Sequence, residues 1–289
     1  MKEFKTILEQ IALLEDRGLK VEDKARAADF LLHNNYYRVS GYSLTLRDHD
    51  VFFPNARFEN IIDIYEFDRK LRHILLKRLD IIEISFKSIY AYEFSRIYGP
   101  DGYLDVANFT APDRYQKTMG KVEKQRKSAE YTEPFVKHFE EQNEPMPLWA
   151  EVELFTFSNI SILYSISKSD AQSAVAFHYG FRSKGAATQL GQVMKSMTII
   201  RNLCAHGNRL FNRIFEQKPR LTKEDKGLLI MKDGRPDNSH LYGFVLLMRQ
   251  LLPSDEFQSM KQEIEQAQDE IPFVRMSYYG FREDWRKKL

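Results

Sequence analysis

Between Glu59 and Tyr98 the chain runs forty residues without a proline or a glycine. Ile61, Ile64, Leu71, Ile74, Leu75, Ile82, Phe86, Ile89 and Tyr90 recur through it at helical spacing. A forty-residue helix is about 60 Å long at 1.5 Å per residue. That exceeds an ordinary globular helix, so the spacing predicts helix throughout with a kink or break inside it. Gly99-Pro100-Asp101-Gly102 ends the run.

The rest of the chain is read around this element. Residues 3–17 place Phe4, Ile7, Leu8, Ile11 and Leu14 on one helical face, and Gly18 stops them. A second helix is expected over about 22–33. The stretch 34–42 is aromatic and broken by Gly41, and it reads as a short extended segment or turn; 48–57 reads as a loop. Polar helices follow over 113–142, then a break at Glu144-Pro145-Met146-Pro147. More apolar helices are expected over 148–167, 170–179 and about 186–206. Residues 218–237 read as a loop, with helices after it at about 239–251 and 255–268. The expected fold is all-α, with at most a minor β element. Its parts are an N-terminal helical element (1–35), a helical core (36–215) and a C-terminal helical extension (216–289), which also reads as one continuous domain.

A 289-residue chain that is 43% hydrophobic and 13% aromatic buries a sizeable core. Lysine and arginine nearly balance the acids, for a net charge of +2, so any attraction to nucleic acid must come from local patches. The single cysteine, Cys204, excludes an intramolecular disulfide and a Cys-rich metal framework. The start, Met1-Lys2-Glu3-Phe4-Lys5, has no apolar signal core, and no apolar run is long enough to span a bilayer. The expectation is a cytoplasmic protein that needs no cofactor or metal and has no membrane partner.

The chemistry-bearing segment is Arg201-Asn202-Leu203-Cys204-Ala205-His206-Gly207. Leu190, Val193, Met197, Ile200 and Cys204 already supply the buried face of its helix, so Arg201, Asn202 and His206 are spare. Asn202 and His206 are neighbours at i,i+4. Arg201 and His206 lie about 140° apart around a helix. Either Arg201 curls round, His206 sits at a frayed end, or a second copy of the segment contributes. Gly207 is a natural residue for the turn after a helix, which places His206 near a negative dipole end. Histidine suits proton transfer near neutrality, and the arginine fork suits phosphate. Cleavage of RNA by its own 2′-hydroxyl needs those groups and no metal. Asn202 is expected to orient the imidazole.

Arg-Asn-x-x-x-His has the form of the HEPN ribonuclease motif. The wider chain resembles the Abi family of abortive-infection proteins, of the AbiD/AbiF type. Four blocks carry that resemblance: Tyr36-Tyr37-Arg38-Val39-Ser40-Gly41-Tyr42; Tyr65-Glu66-Phe67-Asp68-Arg69-Lys70-Leu71-Arg72 with Ile82-Glu83; Pro147-Leu148-Trp149-Ala150-Glu151-Val152-Glu153-Leu154-Phe155-Thr156-Phe157-Ser158; and Arg201 through Arg213. The resemblance implies a HEPN-like helical bundle, phage defence by RNA cleavage, and a homodimer joining two motifs. Similar domains serve RNA-guided type VI CRISPR effectors, and a bound small structured RNA fits the same picture. Arg201 and His206 would be catalytic, with Asn202 in support. Ser158 stands where the family pattern has glycine, a departure that bears on packing.

Arg69, Lys70, Arg72, Lys77 and Arg78 form a basic run on the long helix, which reads as a phosphate-binding face or a solvated side with snorkelling stems. His73 is a candidate second histidine. Arg209 and Arg213 follow the motif and, with Arg69, Arg72 and Arg38, are candidates for RNA backbone contact; Tyr37 is one for base stacking. The patch Lys117, Lys121, Lys124, Arg126 and Lys127 reads as a solvated face. Glu151 and Glu153 point apart and make a poor acid–base pair. Two other readings stand beside the nuclease: a non-catalytic protein carrying a small RNA, and a helical protein–protein interaction module.

Overall fold

The computed structural model describes residues 3–289; Met1 and Lys2, which begin the expected N-terminal element, lie outside them. In chain order the helices are α1 (Ile7–Asp16), α2 (Lys24–Asn34), α3 (Tyr36–Tyr42), α4 (Phe58–Tyr98), α5 (Pro112–Ala129), α6 (Pro134–Gln142), α7 (Leu148–Glu151), α8 (Phe157–Ile166), α9 (Ser169–His178), α10 (Ala186–Ala205), α11 (Lys223–Lys226), α12 (Tyr242–Leu251), α13 (Ser254–Glu270) and α14 (Trp285–Lys288). Two small antiparallel hairpins interrupt them: β1 (Arg47–Asp48) with β2 (Val51–Phe52), and β3 (Met231–Lys232) with β4 (Arg235–Pro236). The fold is all-α. No helix among the described residues is long and apolar enough to cross a membrane.

The expected break in the long helix is not there. α4 is continuous over 41 residues, and Gly99 at φ +85° ends it. Its sequence explains the length. Phe67, Leu71, Leu75, Leu79, Ile82, Phe86, Tyr90 and Phe94 make one buried stripe, while Arg69, His73, Lys77, Asp80, Ile84, Ser88, Tyr92 and Arg96 make one exposed stripe. Both stripes advance in steps of three and four, the helical period. Each large apolar residue buried there contributes about 1.5–3 kcal/mol. α4 packs against α3, α7, α9, α10 and α13, so neighbours support it along its length. One hydrophobic cluster extends from Ile11 to Leu289.

Residues 36–42 form a helix, where a short extended segment or turn was expected. Asn35 takes φ +59° and its side chain accepts the Tyr37 N–H, which starts the turn. Val39 and Tyr42, three apart, then share the buried face. The two loops expected at 48–57 and 218–237 contain the two hairpins and α11.

Acids on α13 meet much of the basic run on α4, while Arg69 and Lys77 stay on its exposed stripe. Lys70 pairs with Glu270 and Lys77 with Glu263 at 3.2 Å, both acids on α13. Arg78 is fully buried and meets Glu263 at 2.7 Å and Ser259 at 2.8 Å. The acidic face of α13 therefore consumes most of that charge.

Candidate functional site

α10 ends in a Schellman turn. His206 is the C-cap, Gly207 takes φ +63°, its N–H reaches the Cys204 carbonyl, and the Asn208 N–H reaches the Leu203 carbonyl. A glycine there avoids the strain that a side chain would suffer at positive φ. The turn leaves the His206 imidazole exposed at the carbonyl end of the helix.

A buried carboxylate fixes the chain that leaves this turn. Asp68 on α4 accepts the backbone N–H of Phe211 at 2.8 Å and of Leu210 at 3.2 Å. It also accepts the hydroxyls of Tyr42 at 2.8 Å and Tyr279 at 3.1 Å and pairs with Arg72. Burial holds the Asp68 carboxyl above its usual range, against the opposing pull of Arg72 and the hydrogen bonds from Tyr42, Leu210 and Tyr279. Every group aimed at it is a donor, so the ionised form is the one this pocket accommodates. α3 completes the exit. Arg38 donates to the Gly207 carbonyl at 2.6 Å, and Gly41 leaves room for Arg209, whose Nε would sit 3.3 Å from a Cβ there.

A second carboxylate on α4 holds the near end of the motif. The Arg201 Nε donates to Glu83 at 3.1 Å, and Lys87 shares that acid at 3.4 Å. The Glu83 side chain is 9% exposed and that of Arg201 34%. The Nη nitrogens of Arg201 meet no acceptor among the described residues. Arg201 and Ala205 line one wall of a surface groove of about 410 Å³; His73, Leu76, Lys77 and Asp80 line the other. Asn202 points elsewhere, its Nδ2 3.5 Å from the Ser158 hydroxyl on α8. No hydrogen bond joins Asn202 to the His206 imidazole, in contrast to the expected orienting contact. Ser158, expected to bear on packing, therefore packs against the motif itself.

The candidate RNA contacts divide. Arg38, Arg209 and Arg213 gather at the motif's exit, but each is engaged there: Arg38 on Gly207, Arg209 on the Phe211 carbonyl, Arg213 over the Phe215 ring. Tyr37 is exposed. Arg69 is exposed and pairs with Glu66. Arg72 departs from the expectation: it is 4% exposed and neutralises Asp68, so its guanidinium is spent inside the fold. Sequence reasoning quoted Asp68 and Glu83 within a block but gave neither a role. The only local signal for Asp68 was its i,i+4 spacing to Arg72, which a surface pair shares. Cys204 is buried, and that burial pushes its thiol up to about 12, which suits a core residue and not a nucleophile. Among the described residues no three His, Cys, Asp or Glu side chains cluster as metal ligands.

No curated protein and no solved structure matches the chain. The family described as Abi-like protein matches residues 29–212, more than half of the 289. That span takes in the Tyr42, Asp68, Glu83 and Arg201–Phe211 contacts just described, and the chain belongs to the Abi-like protein family.

Proposed function

We propose that this protein is a metal-independent endoribonuclease of the HEPN type, of the AbiD/AbiF kind, acting in abortive-infection defence against phage. The observation that carries the reading is the pairing of an arginine, held at Nε by a mostly buried acid, with an exposed histidine capping the same helix. Glu83 orients the Arg201 fork and leaves its Nη nitrogens for the non-bridging oxygens of a phosphate. His206 moves the proton. As the 2′-oxygen bonds to phosphorus, its proton goes to a base; as the 5′-oxygen leaves, it takes a proton from an acid. The products are a 2′,3′-cyclic phosphate and a 5′-hydroxyl. Asn202 supports the helix end beside Ser158. A homodimer that joins two such segments answers the roughly 140° offset between Arg201 and His206.

The test is cleavage of end-labelled RNA by the wild type, Arg201→Ala and His206→Ala, with circular dichroism to check folding. Each substitution is expected to slow cleavage by about 100-fold or more, and EDTA to leave the wild-type rate unchanged. Undiminished cleavage by both variants refutes the assignment. The competing reading, a non-catalytic carrier of a small RNA, drew on the basic runs at 69–78 and 209–220; α13 neutralises most of the first.

A further inference from the structure

The chain has seven histidines. Four are engaged with polar partners: His33 with Asp29, His49 with Asp48, His178 with Glu93 at 2.7 Å, and His240 with the Arg213 carbonyl and Asp237. His138 packs edge-on against Phe139. The remaining two, His73 and His206, have no hydrogen-bond, ion or ring partner among the described residues. One is the motif histidine. The other lies across the groove from Arg201.

The position of His73 follows from how α4 is tied to the motif. Glu83 holds Arg201, and Asp68 holds Leu210 and Phe211. Numbering falls along α4 as it rises along the motif, so the two segments run antiparallel. His73 lies between the two ties, on the stretch of α4 that faces residues 201–210. It belongs to the exposed stripe of α4, so solvent and a ligand both reach it.

We propose that the α4–α10 groove is the subsite for the scissile phosphodiester of single-stranded RNA, and that His73 is a second proton-transfer residue in it. The inference rests on the nuclease reading above. Cleavage by a 2′-hydroxyl needs an acceptor for the O2′ proton and a donor for O5′, and in a concerted step these are two different groups. The balance is simple. One imidazole takes the 2′-hydroxyl proton while O2′ bonds to phosphorus; the other, as imidazolium, gives a proton to O5′ while the P–O5′ bond breaks. His73 fills one role beside Arg201, which neutralises the phosphate; His206, which does not line this groove in its own chain, fills the other from the second copy of the homodimer. The charged groups around His73 are Arg69, Lys77 and Asp80 on α4 and Arg201 on α10, with Glu263 of α13 occupied by Lys77. Charges of both signs line the groove, so it suits one phosphate on the arginine fork and not a general polyanion track.

The experiment is single-turnover cleavage of an RNA oligonucleotide by the wild type, His73→Ala and His73→Gln across pH 5–9, with and without added imidazole. Both variants are expected to keep the wild-type melting temperature, because His73 is exposed and its side chain has no hydrogen-bond or ion partner among the described residues. The rate should fall about 100-fold, KM should change little, and one limb of the pH–rate profile should vanish. Added imidazole should restore part of the Ala variant's rate. Cleavage within threefold of wild type in both variants overturns the proposal, as does a slowed variant with an unchanged pH profile and no imidazole rescue. A wild type that cleaves no RNA defeats the nuclease reading itself, and this inference with it; a wild type that cleaves beside an undiminished His73→Ala defeats this inference alone.

Discussion

Asp68 and Glu83 lie fifteen residues apart on one helix, and each ties down one end of the same motif. They do so in opposite ways. Asp68 is wholly buried, and it is saturated by two backbone N–H groups, two tyrosine hydroxyls and a buried arginine. Glu83 lies at the edge of the core, and its arginine is one-third exposed. A charge sealed among donors defines a conformation, and nothing remains for a ligand. A charge whose partner is partly exposed orients that partner and leaves the partner's other face open to solvent. Burial, not residue type, separates the sealed ion pair from the one open to solvent.

Breaking the Asp68 tie should have the largest effect. Asp68→Ala strands Arg72 in the core and removes the acceptor for the Leu210 and Phe211 N–H groups, and it is expected to cost about 3–5 kcal/mol. Urea unfolding measures this, and a loss under about 1 kcal/mol would place the clamp outside the stability of the fold. Next comes the α13 side of the same helix. The Nε and Nη1 of buried Arg78 already lack hydrogen-bond partners. Glu263→Ala removes its closest acid and should cost about 1–3 kcal/mol. Glu83→Gln sharpens the contrast. Its partner is partly solvated, so stability should fall by under about 1 kcal/mol, while RNA cleavage drops by on the order of 10-fold to 100-fold because the fork is mis-set. Equal losses of stability at Asp68 and Glu83 would erase the distinction drawn here. The smallest effect concerns Cys204. A thiol pushed up to about 12 holds roughly one thiolate in 10⁴ at pH 8, so a thiol reagent should modify it only as the protein unfolds. Rapid labelling of the native chain would show that the apolar face of α10 is open.

Helical periodicity revealed the outline of the fold because α4, α10 and α13 each bury one regular stripe. It misjudged 36–42, where Tyr36, Tyr37 and Val39 carry β-like composition. What makes that stretch helical is the Asn35 cap and the docking of Tyr42 on Asp68, a contact 26 residues away. The motif was legible as Arg201, Asn202, His206 and the Gly207 turn, since all of these are local. The clamp was not, because its ties reach 142, 143 and 211 residues along the chain. An Asp-x-x-x-Arg pair reads the same on a surface as in a core. Likewise the basic run at 69–78 could not announce that Glu263 and Glu270 would cover it.

The hydrogen bond from Tyr279 to Asp68 has a consequence for the order of events during synthesis. It closes a loop of 211 residues, and such long-range contacts form late in folding because chain entropy opposes them until the intervening elements have condensed. A ribosome-bound chain that has emitted the whole motif, but not yet Tyr279, holds Asp68 one donor short. The clamp on the segment carrying His206 is then complete only after residue 279 has emerged. Topology thereby writes an order into the clamp: its last hydroxyl arrives only after the whole motif has been made.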